Sequence, residues 1–320
     1  MNGLNNLHYI LIVLLVGFGL SYAVLPRYRQ RIATIQRYVV LTLMAILILS
    51  PFLWLISAVF KDADVLMQYA FLPPLSEWSS ETLNLKNFYN PATEKLDSLF
   101  EAEKTMQGEV HFWRYLLNSL FLASTSTMVI LFFSSLGGYA LAKYEFHGKH
   151  AIISFMLGTM MIPGMLLLAP LYNLIYKIGW MDTYWALLVP GASSAFGMFL
   201  FRQACLSVPN SLMEAARIDG CSEFSIYLNI VMPLVRPMTG AFCLISFLGS
   251  WNSFVYPNIY IQTQSKLTLP VILNQFVGVY SQQYGIFLAG TLIAIIPPAI
   301  LFFALQREFI SGLTSGAIKG

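Results

Sequence analysis

Uninterrupted apolar runs set the pattern of this chain. Seven stretches qualify as membrane spans, 7–25, 38–60, 115–142, 151–173, 184–201, 237–261 and 284–305. A bilayer core about 30 Å thick needs about 20 apolar residues at a rise of about 1.5 Å each. No charge lies between Arg114 and Lys143, or between Lys266 and Arg307. Strand-like alternation is absent, so the pattern predicts helices rather than barrel strands. Prolines punctuate the runs at Pro51, Pro163, Pro170, Pro190, Pro257 and Pro297-Pro298. Each removes a helix hydrogen bond and predicts either a static kink or a bend beside a pathway. The one long hydrophilic excursion, 61–112, carries Pro73-Pro74, Trp78, Phe88 and Tyr89 and predicts a partly packed loop rather than a tether.

Composition agrees with this all-helical membrane reading. Of 320 residues, 57% are hydrophobic and 10% charged, with a mean hydropathy of +0.67. Soluble domains carry about 25% charged residues, so a soluble globular protein, a disordered chain and a nucleic-acid binder are excluded. Eleven of the eighteen basic residues fall on one set of alternating connections, Arg27 to Arg37, Lys143 with Lys149, Arg202 to Arg236, and Arg307 with Lys319. The positive-inside rule makes that set cytoplasmic, with the C-terminus inside and the N-terminus outside. The first run lacks a basic leader and is followed by arginines, so it reads as a retained helix rather than a cleaved signal. Cys205, Cys221 and Cys243 match neither a disulfide framework nor a zinc spacing.

The missing charges bear on mechanism. The centres of all seven runs lack Asp, Glu, Lys, Arg and His, whereas ion-coupled carriers usually keep such a group inside the membrane. Their polar content is hydroxyls and amides, such as Asn118 and Ser124 to Thr127, Asn252 and Asn258. A phosphate-binding loop needs G-x4-G-K-[ST], and Gly148-Lys149-His150 fails that test. Transport, if driven, therefore draws on another subunit. Trp251 and Asn252, with Tyr256 and Asn258 beyond, suit a sugar, whose C–H face stacks on rings and whose hydroxyls need paired partners. The same four residues suit helix–helix packing with an interhelical amide bond.

The connection from 206 to 235 is longer than a turn requires. Ser211 and Glu214 have capping-box spacing, which predicts a helix over Leu212–Asp219. Gly220 suits the left-handed residue that ends a helix. Ser222 can cap a second helix over Glu223–Val231, stopped by Pro233. The residues alone describe a docking element or an amphipathic loop on lipid headgroups.

Glu214-Ala215-Ala216, Gly220, Ile230 and Met232-Pro233 also follow a spacing, EAA-x3-G-x9-I-x-L-P, with Met232 in place of leucine. In that spacing the loop resembles the EAA loop of ABC-importer permeases, and the one exchange conserves volume. The resemblance covers about residues 113–320 and is strongest to the maltose-G type of permease subunit in carbohydrate importers. Supporting positions are Pro170-Leu171-Tyr172, Phe201-Arg202-Gln203, Ile218-Asp219-Gly220, Trp251-Asn252 and the tail Gly312–Gly320.

The resemblance implies a type I ABC-importer transmembrane domain in a bacterial or archaeal cytoplasmic membrane. Residues 38–305 supply the family's six core helices, leaving residues 1–37 as an extra helix with a basic connection. Residues 38–112 then form the first core helix and outer loop, and residues 113–320 the core permease domain. The chain would be non-catalytic and bind no cofactor or metal itself, with ATP and Mg held by the partner ATPase. Its partners would be a second permease subunit, two ATPase subunits, an extracytoplasmic solute-binding protein, a sugar and membrane lipid. Glu214, Ala215, Ala216, Asp219 and Gly220 would meet the ATPase, with Ile230, Met232 and Pro233 anchoring the loop. The glycine-rich tail would probe the ATPase interface or fray. The outer loop and the turn near Gln262–Gln283 would dock the binding protein or remain plain solvated loops. The substrate is expected to be a sugar or oligosaccharide, with a polyol or glycerol-phosphate-like solute, an ion-coupled carrier, a channel or an assembly protein as alternatives.

Overall fold

A computed structural model describes residues 29–80, 82–89, 98–100, 103–105, 108–277 and 283–317. The expected span 7–25 and the orientation of the N-terminus lie outside these residues. Two compact units divide the chain between Leu83 and Asn84.

The first unit contains α1 (Arg29–Val59), which covers residues 38–59 of the expected span 38–60, and the short α2 (Ala63–Gln68). Helix α1 is apolar all round, with a mean hydropathy of 2.6 over Ala33–Val59. Its Leu41, Met44, Leu47 and Leu53 side chains are exposed, so its natural surroundings are apolar. Pro51 is carried inside the helix. Beyond it the chain is locally tied. Lys61 Nζ donates to the Tyr69 carbonyl at 2.8 Å, and Trp78 Nε1 donates to the Pro73 carbonyl at 2.9 Å.

The second unit opens with a feature that the apolar pattern did not predict, a two-stranded antiparallel ribbon of β1 (Glu103–Thr105) and β2 (Gly108–Val110). In the residues that flank it along the chain, the rings of Phe88 and Phe100 stack at 6.1 Å, and those of Phe100 and Trp113 at 5.3 Å. Helix α3 (Phe112–Lys143) is the central span of this unit. The helices α7 (Ala195–Leu206) and α10 (Arg236–Trp251) pack against it, and α13 (Tyr284–Ala317) packs on α10. Gly138 allows the close α3–α7 contact. A Cβ there would meet Phe201 Cβ at 2.6 Å and two backbone atoms, Met198 O at 2.7 Å and Arg202 N at 2.8 Å.

Three expected spans are not continuous. The 151–173 run becomes α4 (Lys149–Thr159) and a second segment, Gly164–Lys177, meeting at 93°. Pro163 sits at that break, where proline and the residue before it both disfavour helix. The last ten residues of the second segment form α5 (Leu168–Lys177). The 184–201 run becomes the single turn α6 (Trp185–Leu188) and α7, with Pro190-Gly191 between them. The 237–261 run stops at Trp251, where Asn252 ends α10, and resumes as α11 (Val255–Tyr260). Among the described residues, three helices are long and apolar enough to cross a membrane, or up to five if each bent pair is one span. Pro297-Pro298 lie inside α13, which continues to Ala317 and makes residues 312–317 of the expected glycine-rich tail helical.

The connection between α7 and α10 folds as α8 (Asn210–Ile218) and α9 (Glu223–Leu234). The Ser211–Glu214 capping box does not form. Pro209 caps α8 without a side-chain bond, which places Ser211 inside the first turn and out of capping reach. Pro233 does not end α9 either. Residues Tyr227–Val231 widen into a π-helical turn ahead of it, relieving the clash between the proline ring and the carbonyl four residues earlier. The helix stops only at Val235, and the chain then bends by 85° into α10.

Candidate functional site

The α8–α9 pair is fixed by its own turn and by the Lys143 end of α3. Gly220 has φ +81°. Its N–H donates to the Arg217 carbonyl at 3.1 Å, and the Cys221 N–H donates to the Ala216 carbonyl at 2.9 Å. These two bonds form a Schellman ending. Ser222 caps α9, its hydroxyl accepting from the Ser225 N–H at 3.3 Å. Across the turn Arg217 grips Glu223 through Nε at 2.6 Å and Nη2 at 3.2 Å. The Tyr144 phenol donates to the same carboxylate and meets the Tyr139 ring edge-on at 5.6 Å. The Arg217 bond first, and then the Tyr144 bond, hold the Glu223 carboxyl below the usual carboxylate range. Burial, reinforced by the Glu223 bond, pushes the Tyr144 phenol upward. Lys143 Nζ donates to the Val208 carbonyl and to Asn210 Oδ1, the latter at 2.9 Å.

Beneath the pair lies a cluster of Tyr139, Phe201, Cys205, Met213, Ile226, Tyr227 and Phe242. Met213 and Ile226 are fully enclosed, each contributing about 1.5–3 kcal/mol relative to exposure. Glu214, Ala215, Asp219 and Gly220 are exposed on the opposite side. Ala216 is not among them. At 6% exposure it packs inward beside Met213. Ile230 and Met232 pack against the cluster, and Pro233 stays exposed. Ile218, at 87% exposure, and Phe224, at 54%, add apolar surface to the outward face. The grip of Tyr144 and Lys143 on this pair was not legible in the sequence, because it joins residues 65 to 79 positions apart.

A second feature is a cavity of about 400 Å3 within this unit. Helix α3 offers it Ser119 and Ser126, seven residues apart, and α10 offers Ser246, Gly249 and Ser250, so each helix presents one face. Tyr256, Tyr260, Thr268 and Pro190-Gly191 complete much of the wall, and among the described residues no Asp, Glu, Lys, Arg or His lines it. Of the four residues expected to touch substrate, only Tyr256 lines the cavity. Trp251 is buried and stacks on Phe247 at 5.7 Å. Asn252 turns its amide back on α10, Nδ2 donating to the Leu248 carbonyl at 2.9 Å. Asn258 is exposed.

Near the Phe112 end of α3 a clasp joins two turns. Asp182, at φ +58°, accepts from the Gln262 and Thr263 N–H groups at 3.0 and 2.9 Å and from Lys266 Nζ at 3.0 Å. Burial would raise its carboxyl, but the Thr263 and Lys266 bonds outweigh burial and hold it well below the ordinary range. From α3, Asn118 Nδ2 donates to the Ser265 and Leu267 carbonyls, both at 2.9 Å. Ser119 Oγ accepts from the Leu269 N–H at 2.7 Å.

Residues 134–313 match the family described as binding-protein-dependent transport system inner membrane component. The chain is 39% identical over 209 residues to the arabinooligosaccharides transport system permease protein AraQ of Halalkalibacterium halodurans, covering 65% of this chain and 75% of that protein. It is 31% identical over 281 residues to the trehalose/maltose transport system permease protein MalG of Thermococcus litoralis, covering 87% and 94%. Its fold is similar to a chain of a bacterial ABC transporter involved in the import of the acidic polysaccharide alginate. That match has a TM-score of 0.69 at 21% identity over 88% of this chain and 97% of the other.

Proposed function

Because the chain belongs to the family of binding-protein-dependent transport system inner membrane components, we propose that it forms half of the translocation path of an ATP-driven importer of neutral sugars or oligosaccharides. A second permease subunit supplies the other half, and two ATPase subunits bind ATP and Mg and hydrolyse the nucleotide. A solute-binding protein delivers the sugar from outside, and the chain lies in the cytoplasmic membrane with the α8–α9 pair on the cytoplasmic side.

The observation that carries this reading is the rigid mounting of the α8–α9 pair, with Glu214, Ala215, Asp219 and Gly220 turned outward. A docked ATPase pushing on that face moves both short helices together, because the Gly220 turn and the Arg217–Glu223–Tyr144 node oppose bending between them. Helix α9 continues through the 85° bend into α10. Displacement of the pair therefore shifts a wall of the cavity. The sugar class rests on the curated relatives and on a cavity of hydroxyls and rings. Among the described residues no cation lines the cavity, which disfavours a glycerol-phosphate-like solute.

Purification of the complex in mild detergent tests the reading. An ATPase pair and a second permease should co-purify, and a sugar-loaded binding protein should stimulate ATP hydrolysis. Transport by the isolated chain without any ATPase would refute it.

A further inference from the structure

Helix α13 carries two charged residues along its whole length, Arg307 and Glu308, side by side. Arg307 is exposed, whereas the Glu308 side chain is 20% exposed. A carboxylate so far out of water needs a partner, and Glu308 Oε1 meets Arg236 Nη2 at 2.9 Å. Arg236 is the first residue of α10, directly beyond the 85° bend that follows α9. One turn further on, Gly240 makes room for the stem of the same glutamate. A Cβ at 240 would lie 2.5 Å from Glu308 Cβ and 3.3 Å from its Cγ. Glu308 therefore lies across the first turn of α10, held by shape at Gly240 and by charge at Arg236. A helix N-terminus is also where the backbone dipole favours a carboxylate.

Such a contact does little for folding, because the Arg236 side chain is 74% exposed and ion pairs open to water stabilise only slightly. What it fixes is position, at the point where the α8–α9 pair hands its displacement to the membrane helices. Packed side chains and rigid helices are what carry such a displacement onward. The other end of α13 is seated just as closely. A Cβ at Gly285 would overlap the Asn87 side chain, and one at Gly290 would overlap Leu273 of α12 (Leu269–Phe276). From Gly285 to Glu308 the helix rises about 35 Å at about 1.5 Å per residue, unbroken through Pro297-Pro298. A body made of α10 and α13 thus reaches from the coupling bend to Asn87 and α12.

We propose that Arg236 and Glu308 are positioning residues that yoke α13 to the α9–α10 bend, so that displacement of the α8–α9 pair moves α10 and α13 as one body. The proposal rests on the importer reading above and adds which contact brings the C-terminal helix into the coupled motion.

The test uses the complete reconstituted transporter and reads ATP hydrolysis with and without sugar-loaded binding protein. Glu308→Gln and Arg236→Gln should each lower the stimulation by roughly two- to tenfold, while assembly, the basal rate and the midpoint of thermal unfolding stay as in the wild type. Arg236→Lys keeps the charge and should keep stimulation, and the exchanged pair Arg236→Glu with Glu308→Arg should restore most of it. Full stimulation in both glutamine variants overturns the yoke, and so does an exchanged pair that assembles yet stays as low as they are. Should the glutamine variants fail to assemble, Arg236→Cys with Glu308→Cys serves in their place, in a Cys221→Ser and Cys243→Ala background. Joining the two thiols with a short bis-methanethiosulfonate reagent should raise stimulation above that of the unlinked protein, because the linker replaces the ion pair. A link that abolishes stimulation shows that the bend and α13 must separate during the cycle, and it overturns the proposal. If the wild-type complex is stimulated but the variants behave otherwise than stated, the yoke fails and the importer reading stands. If no loaded binding protein stimulates the wild-type complex, the importer reading fails and the yoke with it.

Discussion

Gly220 offers the sharpest perturbation of the proposed coupling surface, because its cost is purely conformational. It sits at φ +81°, and a Cβ built there meets nothing within 4 Å among the described residues. Replacing it with alanine therefore adds no clash. What remains is the penalty of a left-handed L-residue, about 1–2 kcal/mol, which corresponds to a shift of roughly five- to thirtyfold away from the Schellman turn. Asparagine tolerates that region far better, so Gly220→Asn should fall close to wild type. Gly220→Pro cannot adopt a positive φ and also loses the N–H bond to the Arg217 carbonyl, a combined cost of about 3 kcal/mol or more. The assay is ATPase activity of the reconstituted complex with and without loaded binding protein, after membrane insertion and subunit assembly have been verified by affinity pull-down. Stimulation should fall in the order Gly, Asn, Ala, Pro, and the proline variant should retain insertion but lose stimulation. Full stimulation in an assembled Gly220→Pro complex would refute the reasoning, as would equal loss in the Ala and Asn variants.

Other sites give further expectations. Gly138→Ala places a methyl against the backbone of Met198 and Arg202, and overpacking of this kind costs about 1–3 kcal/mol; the midpoint of thermal unfolding should fall, and an unchanged midpoint would contradict the close α3–α7 contact. Asp182→Ala removes an acceptor of two backbone N–H groups and an ion pair, a loss of about 2–3 kcal/mol. Asp182→Asn keeps the acceptor and loses less, and thermal unfolding of the complex distinguishes the two. The Glu223 carboxyl is lowered in the native state, so its stabilising contribution is complete above the ordinary carboxylate range and is lost as pH falls through the lowered value. Tryptic cleavage after Arg217 should accelerate in Glu223→Gln at neutral pH, and identical cleavage in the two proteins would remove the node from the account.

How legible the architecture was differs by element. Helix α3 and the Gly220 turn were readable because their causes are local, an uncharged apolar run in one case and a glycine at a helix end in the other. Ser222 was readable for the same reason. The capping box at Ser211 failed because Pro209, two residues earlier, starts the helix sooner and moves that serine into its first turn. The run through Trp251 misled because apolarity persists across a break made by Asn252, whose amide bonds back to α10. The cavity wall was partly concealed by the same break. Reading 237–261 as one helix favoured Trp251, Asn252, Tyr256 and Asn258, whereas the structure turns the α10 serines and, of those four, only Tyr256 toward the space. The Asp182 clasp and the Tyr144–Glu223 bond span about 80 residues each, and no pattern within either segment names the other.

The central claim is that the outward face of α8–α9 receives the ATPase, and crosslinking from adjacent alanines tests it most directly. Ala215 is exposed and Ala216 is 6% exposed, so neighbouring positions make opposite predictions. In a Cys221→Ser background, which removes the exposed native thiol, Ala215→Cys carrying a short photoreactive group should form an adduct with the co-purified ATPase. Ala216→Cys should remain unreactive toward the same reagent. Adducts from Ala215→Cys alone agree with the account. An ATPase adduct missing at that position in an assembled complex would contradict it.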